Sequence, residues 1–531
     1  MTPARDRYDL IVIGAGINGA AIAREAALAG RRVLLVEQHD IGGGTTAAST
    51  RLIHGGLRYL EHAELSLVRE SLHERERLLR LAPHLVAPLP MYLPLYAGAA
   101  RRPWQIRAGM WLYDLLSRNK SLPRHRMLTR AELLAQLPGL AAEALQGGAH
   151  YYDAQVRFPE RLVLENVQEA LAHAAELRTY TRATRILVET GRVRGIEWRR
   201  RDGTGGRAHA DLVVNAAGPW VDDVLGELGS RKLIGGTKGS HVICAPFPGA
   251  PAYAVYAEAA PDRRPFFVVP WNGLYLIGTT DERYAGDPGE ARISAAEYRY
   301  LLAAAQRLFP GAAPLAQYVC YTQAGIRPLP PSAASRPGAI TRRHIVHEHR
   351  GARGLYSVVG GKLTTHRALA EDVVDRLPRH AGAARAGTRD RALPGALGEA
   401  ERREALADVG AALGAQQAQR LWRIYGGAMR AVAALARESP ELAAGIGPHE
   451  KTLVAELVHA LQEEWAQSLA DILERRCMTG LDADCGLGTA PAAAQALVRL
   501  SVWDGARAEE ELAAYRASVR RFAPPNGPRR P

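Results

Sequence analysis

The feature that most constrains this 531-residue chain is a glycine-rich turn between a short apolar strand and a helix. The pattern predicts a strand over residues 8–13 and a helix over 20–28, and Gly14, Gly16 and Gly19 lie between or at their ends. A second strand is predicted at 33–36, and Glu37 follows it directly. A GxGxxG turn in this context predicts an α/β domain that binds a dinucleotide, although it does not separate FAD from NAD.

Each residue of this turn has a physical task in holding a pyrophosphate. Gly14 permits the tight turn, Gly16 allows the backbone to approach the phosphates, and Gly19 lets helix and strand pack closely. Ile17 and Asn18 belong to the same turn, at a helix N-terminus whose partial positive charge suits an anion. Glu37 would accept hydrogen bonds from the ribose hydroxyls of the adenosine.

The composition is that of an ordinary globular protein, with 47% hydrophobic and 23% charged residues. No apolar run is long enough for a spanning helix, and the first one leads straight into the glycines, so we expect no signal peptide. The four cysteines form no CxxC pair, which favours a reducing, cytoplasmic compartment without a zinc site. We also expect no metal at His344, His347 and His349, which we interpret as part of an exposed polar strand.

The basic residues are unevenly distributed. The net charge is +13, and residues 101–130 carry eight arginines and lysines but only one carboxylate, Asp114. Trp104 and Trp111 lie among them, a composition typical of a helix at an anionic membrane surface. The alternative is that Trp104, Trp111 and Leu112 pack in the core. A nucleic-acid interface is a further alternative, but no known nucleic-acid motif is present.

Several segments together closely resemble the aerobic, FAD-dependent glycerol-3-phosphate dehydrogenases. The most specific are His-Gly-Gly-Leu-Arg-Tyr at 54–59 and Gly-Gly-Lys-Leu-Thr-Thr at 360–365. The others, in the family's order, are 9–19, 45–49, 102–121, 215–220, 238–241, 278–281 and 325–329. The resemblance covers most of residues 8–375 and departs at His366, where a tyrosine is expected.

The resemblance implies a Rossmann-like α/β FAD-binding domain, an interleaved α+β substrate or cap domain, and a C-terminal helical domain. The FAD-binding domain would comprise residues 1–90, 150–235 and 325–376, and the cap residues 91–149 and 236–324. A linker rich in Ala, Gly, Arg and Pro is predicted at 377–399, and a helical domain at 400–520 with an apolar stripe over 453–473. A disordered tail is predicted at 521–531.

The resemblance also implies how the flavin is held. Ser49 and Thr50 would lie beside the pyrophosphate and the ring, and Ala217 and Gly218 would let the backbone pass close to the cofactor. Lys362 would place a cation beside the ring and stabilise the reduced flavin. The backbone offered to the same edge of the ring would come from Gly360, Gly361, Leu363 and Thr364.

The substrate would be held by cations and hydroxyl groups. Arg58 and Tyr59 are assigned to its phosphate, and Arg327, pushed out of the helical region by Pro328, to phosphate or alkoxide. His241 and His54 are both candidates for the general base, with His241 slightly favoured. Arg327, His241, His54 and Lys362 are therefore the predicted catalytic residues, and Arg58, Tyr59, Arg327 and His241 the predicted substrate contacts.

The implied reaction is oxidation of sn-glycerol 3-phosphate to dihydroxyacetone phosphate, with hydride passing to FAD and electrons to membrane quinone, in glycerol and glycerophospholipid catabolism. The enzyme would bind peripherally to the inner face of the cell membrane. The alternatives are an oxidase that uses oxygen, an amine or amino-acid oxidase on the same fold, and a basic nucleic-acid-binding flavoprotein. The acceptor and the oligomeric state, a homodimer included, stay open at this point.

Overall fold

The glycine-rich turn joins the first strand to the first helix, as the sequence predicts. The strand spans Leu10–Ile13 (β1), the helix Ile17–Leu28 (α1) and the next strand Val33–Val36 (β2). The helix begins three residues earlier than predicted, because Gly16 in an extended conformation serves as its N-cap. The structure, a computed structural model, describes residues 6–525 except 63, 119, 261, 333–339 and 380–385.

The remaining elements are numbered in chain order. The further strands are Leu52–Ile53 (β3), Val86–Tyr96 (β4), Arg126–Thr129 (β5), Leu145–Val156 (β6), Ala175–Arg178 (β7), Thr181–Glu189 (β8), Arg192–Arg200 (β9), Gly205–His209 (β10), Val213–Asn215 (β11), Thr237–Cys244 (β12), Ala254–Glu258 (β13), Pro265–Trp271 (β14), Leu274–Gly278 (β15), Glu282–Arg283 (β16), Val319–Arg327 (β17), Ile345–Glu348 (β18), Leu355–Val359 (β19), Gly445–Ile446 (β20) and Thr452–Leu453 (β21). The further α-helices are Leu65–Leu81 (α2), Pro103–Leu116 (α3), Arg130–Gln136 (α4), Pro159–Leu171 (α5), Val221–Leu225 (α6), Ala295–Leu308 (α7), His366–Arg376 (α8), Glu399–Leu413 (α9), Ala415–Tyr425 (α10), Met429–Glu438 (α11), Pro440–Ala443 (α12), Val454–Gln462 (α13), Ala490–Arg499 (α14) and Gly505–Val519 (α15).

A six-stranded sheet organises the first part of the fold, in the order β18-β19-β11-β1-β2-β7. Its strands are parallel except for β18, which runs antiparallel to β19. Helices α1, α5 and α8 share one buried apolar cluster with this sheet, and the three-stranded sheet β8–β10 shares another. Because β1, β2, β11 and β19 are parallel, the segments that follow their carboxyl ends meet at one edge.

A ten-stranded mixed sheet organises the second part of the fold. Its order is β16-β12-β15-β14-β13-β4-β6-β3, with β17 also paired to β12 and β5 to β6. Helices α4 and α7 share one core cluster with it, and α2 and α3 share another. The sequence does not predict its long strand β4, because Pro88, Pro90 and Pro94 are expected to interrupt a strand. These prolines are an even number of residues apart, so the missing N–H groups all fall on one edge of β4.

The C-terminal region is helical, as predicted, apart from the short pair β20–β21. The apolar stripe over 453–473 is divided between α13 and a π-helical segment at Asp471–Arg476. This region shares a core cluster with residues of the sheets, among them Phe158, Trp271 and Tyr321.

The expectation of a disordered tail from residue 521 is wrong for its first residues. Arg520–Phe522 forms a 3-10 turn, Arg521 pairs with Glu474, and the ring of Phe522 lies 5.9 Å from that of Tyr321. An aromatic contact and a partly buried ion pair order this segment although its composition is polar. The remainder of the predicted tail, residues 526–531, lies outside the described residues.

Candidate functional site

The glycine-rich turn forms a cradle at the carboxyl end of β1. Gly14 has φ +100°, and a Cβ there would lie 2.8 Å from the Ala216 carbonyl oxygen. A Cβ on Gly19 would collide with the carbonyl oxygen of Gly14. A Cβ on Gly16, in contrast, would meet only the Thr46 hydroxyl within 4 Å. The first and third glycines therefore close the turn, and the second leaves open space above it.

The residues around this cradle fit a dinucleotide. Helix α1 has no acidic residue in its first turn, and its N-cap, Gly16, has no side chain. The Ile17 N–H donates to the Thr46 hydroxyl at 3.2 Å, and the N–H groups of the next residues, Asn18 and Gly19, are the ones available to an anion. The buried Oδ1 of Asn18 has no hydrogen-bond donor among the described residues. The carboxylate of Glu37 accepts the backbone N–H groups of Ala15 at 2.8 Å and His39 at 2.9 Å, and it retains lone pairs for ribose hydroxyls.

Two further chain segments complete this edge of the sheet. Asn215 at the end of β11 fixes the turn that follows, because its side chain accepts the N–H of Ala217 and donates to the carbonyl of Val221. Gly218 has φ +58° in this turn. Gly360 and Gly361, after β19, have φ values of +77° and +90°, and Gly361 lies against Asn18 and Leu369. Both segments bring backbone, rather than bulky side chains, to the edge.

A cavity of about 290 Å³, here called the main cavity, opens beside this edge. Every predicted catalytic and substrate residue lines it, as do most of the residues assigned to the flavin ring. The predicted residues in its wall are Ser49, Thr50, His54, Arg58, Tyr59, His241, Arg327, Gly361, Lys362, Leu363 and Thr364. The fold therefore brings together side chains that are more than 300 positions apart in the sequence.

Arg327 lies at the end of β17, as Pro328 predicts, and is held in a fixed orientation. Its guanidinium donates to Asp281 at 3.0 Å and to the Thr279 hydroxyl at 2.9 Å. Arg342 donates to the other oxygen of Asp281, also at 3.0 Å. Burial lowers the pKa of Arg327 to about 10, so it stays charged at neutral pH. Burial acts to raise the pKa of Asp281, but Arg327 and Arg342 hold it below its usual value.

His241 is buried on β12, and its Nε2 lies 2.9 Å from the Thr50 hydroxyl. Burial lowers its pKa to about 3, and the positive charges of Arg327 and Arg51 act in the same direction. Its Nδ1 is buried without a partner among the described residues. His241 is therefore a neutral imidazole at physiological pH, and the hydrogen-bond partner of its Nε2 is Thr50, which lines the main cavity beside it.

The predicted phosphate loop at 54–59 rests on a buried polar network. The backbone N–H of Gly55 donates to the Tyr113 hydroxyl at 3.0 Å, and that hydroxyl donates to Asp153 at 2.8 Å. Arg75 pairs with the same carboxylate at 2.7 Å. Since Tyr113, Asp153 and Arg75 are all buried, removing one of them would leave the others with unsatisfied groups. Burial also lowers the pKa of His54, in this loop, to about 4.

Lys362 lies against the same loop. Its Nζ is 3.9 Å from the centre of the Tyr59 ring and 3.2 Å from the Ser71 hydroxyl. Burial lowers its pKa to about 7, which the carboxylates of Glu64 and Glu70 partly oppose. Lys362 therefore loses its charge as the pH rises through neutrality, unlike an arginine in the same place.

Sequence analysis missed several residues of the main cavity. Arg51, Arg264 and Arg342 add three cations to the wall, and Asp281 and Thr279 orient Arg327. These arginines could not be singled out because arginine is so frequent in this chain. Asp281 and Thr279 could have been found, because the segment 278–281 is one of those that resemble the family.

Two other sequence interpretations can be compared with the structure. Trp104 and Trp111 are each 64% exposed, so the interpretation that they pack in the core is wrong; α3 buries Ile106, Met110 and Tyr113 instead. The predicted polar strand is β18, but it contains only His347, since His344 precedes it and His349 follows it. His349 is buried rather than exposed, and its ring lies 2.9 Å from the Ser357 hydroxyl. In the described part of the chain no group of acidic, cysteine or histidine side chains could hold a metal ion.

Comparison with known proteins adds independent findings. A family model described as FAD-dependent oxidoreductase matches residues 9–376, and one described as the C-terminal domain of alpha-glycerophosphate oxidase matches residues 386–508. Glycerol-3-phosphate dehydrogenase of Synechocystis sp. is 40% identical over 96% of this chain and 95% of its own length. The aerobic glycerol-3-phosphate dehydrogenase of Escherichia coli is 36% identical, over 89% of this chain and 94% of its own.

A solved structure resembles the whole chain. It is glycerol-3-phosphate dehydrogenase from Bacillus halodurans complexed with FAD, with a TM-score of 0.76 and 27% identity. The likeness covers 99% of this chain and 97% of that one. The agreement therefore includes the C-terminal helical region as well as the sheets.

Proposed function

The chain belongs to the FAD-dependent oxidoreductase family, in the group of the glycerol-3-phosphate dehydrogenases, and we propose that it oxidises sn-glycerol 3-phosphate to dihydroxyacetone phosphate. The observation that carries the proposal is the lining of the main cavity. Six cations line it, namely Arg51, Arg58, Arg264, Arg327, Arg342 and Lys362, and Arg51 is the one already paired with a buried carboxylate, that of Glu160. Two neutral histidines, His54 and His241, line it as well. A phosphate monoester, with up to two negative charges, suits this number of cations better than an amino acid, with one carboxylate, or an amine, with no anionic group.

The phosphate end is assigned to the arginines. Asp281 and Thr279 hold the Arg327 guanidinium in place, so it loses little conformational freedom when it grips an anion. Arg342 shares Asp281 with Arg327, and the two positive charges converge at one carboxylate. Arg58 and Tyr59, on the loop that Tyr113 and Asp153 support, are assigned to the same phosphate.

The proton of the substrate's secondary hydroxyl is assigned to His241. His241 is neutral, and Thr50 joins its Nε2 to the main cavity, so a proton can pass from the substrate through the Thr50 hydroxyl to Nε2. FAD, when bound on Gly14, Gly16, Gly19 and Glu37, supplies the acceptor of the hydride. Lys362, whose Nζ lies 3.9 Å from the centre of the Tyr59 ring, would supply a positive charge that favours the reduced, negatively charged form of the cofactor.

Product formation tests this assignment. The purified protein, given glycerol 3-phosphate and a soluble electron acceptor, is expected to form dihydroxyacetone phosphate. Glycerol and lactate, which lack the phosphate, are expected to give no turnover. Turnover of glycerol at a rate similar to that of the phosphate ester would refute the assignment of the arginines.

The further course of the electrons is also a proposal. We infer that membrane quinone is the acceptor and that the protein binds peripherally to the inner face of the cell membrane. The support is helix α3, where Trp104, Trp111 and Leu115 are 64%, 64% and 58% exposed among arginines. No helix in the described part of the chain could cross a bilayer.

Oxygen is the alternative acceptor, because residues 386–508 match a domain described from alpha-glycerophosphate oxidase. The two acceptors separate in one assay. Reduction of a short-chain quinone without hydrogen peroxide supports the quinone, and stoichiometric peroxide in air supports oxygen.

A further inference from the structure

A second cavity lies between helix α2 and the turn that follows helix α3. Its volume is about 230 Å³, and we call it the basic pocket. It is lined by Leu72, His73, Glu76, Arg77, Arg80, Ser117, Arg118 and Lys120. None of these residues lines the main cavity, so the reaction leaves the basic pocket unexplained.

The lining of the basic pocket is rich in cations, since four of its eight residues are arginine or lysine. Arg77 and Lys120 pair with Glu74 and Asp114, whereas Arg118 makes no ion pair with any described residue. Arg80 pairs with Asp390, but both side chains are solvent-exposed, so this pair is weak and an anion can compete for Arg80. The one carboxylate, Glu76, accepts the backbone N–H of Ser121 at 2.6 Å, and its other oxygen is buried. The Glu76 carboxylate therefore fixes the loop after α3, and the side chains facing solvent are basic. A pocket of this size and charge suits a phosphate group.

The place of the basic pocket in the fold indicates the source of that phosphate. Ser117 and Arg118 directly follow α3, whose exposed face carries Trp104, Trp111 and Leu115. Helix α3 ends at Leu116, so Arg118 lies two residues beyond the helix and three beyond the exposed Leu115. If the exposed face of α3 lies in the interfacial layer of a bilayer, Arg118 is close enough in the chain for its long side chain to reach the lipid phosphates.

We propose that the basic pocket binds the headgroup phosphate of an anionic phospholipid, with Arg80 and Arg118 as its principal contacts. The proposal rests on the peripheral attachment through α3 proposed above and adds a specific lipid site to it. General charge attraction would favour any anionic surface equally. The basic pocket, in contrast, favours a phosphate that guanidinium groups can grip with two parallel hydrogen bonds.

Co-sedimentation of the FAD-loaded full chain with vesicles tests the proposal. One set contains phosphatidic acid in phosphatidylcholine, and the other contains oleate at the same surface charge. The wild-type protein is expected to prefer the phosphatidic acid vesicles. The double variant R80Q/R118Q is expected to lose that preference, with binding weakened about tenfold or more, since each cation near the surface contributes about 1 kcal/mol.

The matched control is R403Q/R430Q, which removes the same charge from exposed arginines of the C-terminal helices. It is expected to keep the preference, and both double variants are expected to keep wild-type turnover with a soluble acceptor. Equal binding to the two vesicle types, or an unchanged preference in R80Q/R118Q, would overturn the lipid site. Binding of inorganic phosphate that depends on Arg80 and Arg118 without any vesicle preference would overturn it too.

A third variant distinguishes a wrong lipid site from a wrong assignment of α3 as the membrane-binding helix. W104S/W111S removes the apolar face and leaves the basic pocket intact. If it sediments with no vesicles while R80Q/R118Q behaves as wild type, the attachment stands and the lipid site is wrong. If it sediments as well as the wild type, α3 is not the membrane element and the lipid site falls with it.

Discussion

The cofactor cradle and the main cavity lie side by side, but backbone atoms form the first and side chains provide the functional groups of the second. The cradle consists mainly of backbone, and Gly14, Gly16 and Gly19 give it its shape. The side chain assigned to the ribose, Glu37, is itself held by two backbone N–H groups. The functional groups of the main cavity are mainly charged side chains, which strands and loops far apart in the chain bring together. A backbone site fails when atoms are added to it, whereas a side-chain site fails when charge is removed.

The largest expected effect comes from adding one carbon to the cradle. Gly19→Ala would drive a Cβ into the Gly14 carbonyl oxygen, so we expect the purified variant to lose most of its FAD and with it its activity. The flavin absorbance per polypeptide measures this directly. Gly109→Ala is the control, since a Cβ there meets nothing within 4 Å; equal flavin content in the two variants would contradict a cradle built from backbone.

Removing charge from the main cavity is expected to have the next largest effect. Arg327→Gln removes two charge-assisted hydrogen bonds of about 1.5–3 kcal/mol each, so kcat/KM for glycerol 3-phosphate should fall by about 10²–10⁴. FAD content should stay unchanged, because Arg327 takes no part in the cradle. A loss of FAD, or a fall in kcat/KM of less than about threefold, would show that the two regions are not separate in function.

Substitution of His241, on β12, tests whether this histidine accepts the proton of the substrate's hydroxyl. His241→Asn should lower kcat about a hundredfold, with little change in KM, because a general base contributes about 10²–10⁴. His54→Asn serves as the comparison and should affect kcat less. Since both pKa values are depressed, to about 3 and about 4, neither histidine should give the wild-type rate an acidic limb between pH 5 and 8. A larger loss in His54→Asn would transfer the role of base to His54.

Lys362 gives the main cavity a pH dependence near neutrality. Its pKa is lowered by burial to about 7, so its charge is present below neutrality and is lost as the pH rises. The wild-type kcat/KM should therefore decline on the alkaline side, and Lys362→Arg should move that decline to higher pH because a guanidinium stays charged. Identical pH profiles for the two proteins would show that the charge of Lys362 does not determine the alkaline decline in kcat/KM.

The smallest expected effect concerns the support of the phosphate loop. Tyr113→Phe removes the hydroxyl between Gly55 and Asp153, and the loss should be about 1–2 kcal/mol in the free energy of unfolding. KM for glycerol 3-phosphate should rise several-fold with kcat little changed, because the loop rather than the reacting atoms is disturbed. Denaturant unfolding and steady-state kinetics provide the two readouts, and a changed kcat at constant KM would contradict a positioning role.

The same difference explains what could be predicted from the sequence. The cradle is local, since Gly14, Gly16, Gly19 and Glu37 are close in the chain, so spacing alone predicted β1, α1 and β2. The main cavity is not local: Arg342 and Arg264 have no distinguishing neighbours, and only the fold brings them to Arg327. Strand β4 was missed for another reason, because its alternating prolines are tolerated only when one strand edge receives no hydrogen bonds from them.

The most direct test of the account is an anaerobic titration of the purified yellow protein. Stoichiometric glycerol 3-phosphate should bleach the flavin absorbance of the wild type, glycerol should leave it unchanged, and Arg327→Gln should bleach much more slowly while remaining yellow. A protein that purifies colourless and takes up no added FAD, or one whose flavin is bleached equally well by glycerol, would contradict a phosphate-gripping cavity beside a backbone-built flavin cradle.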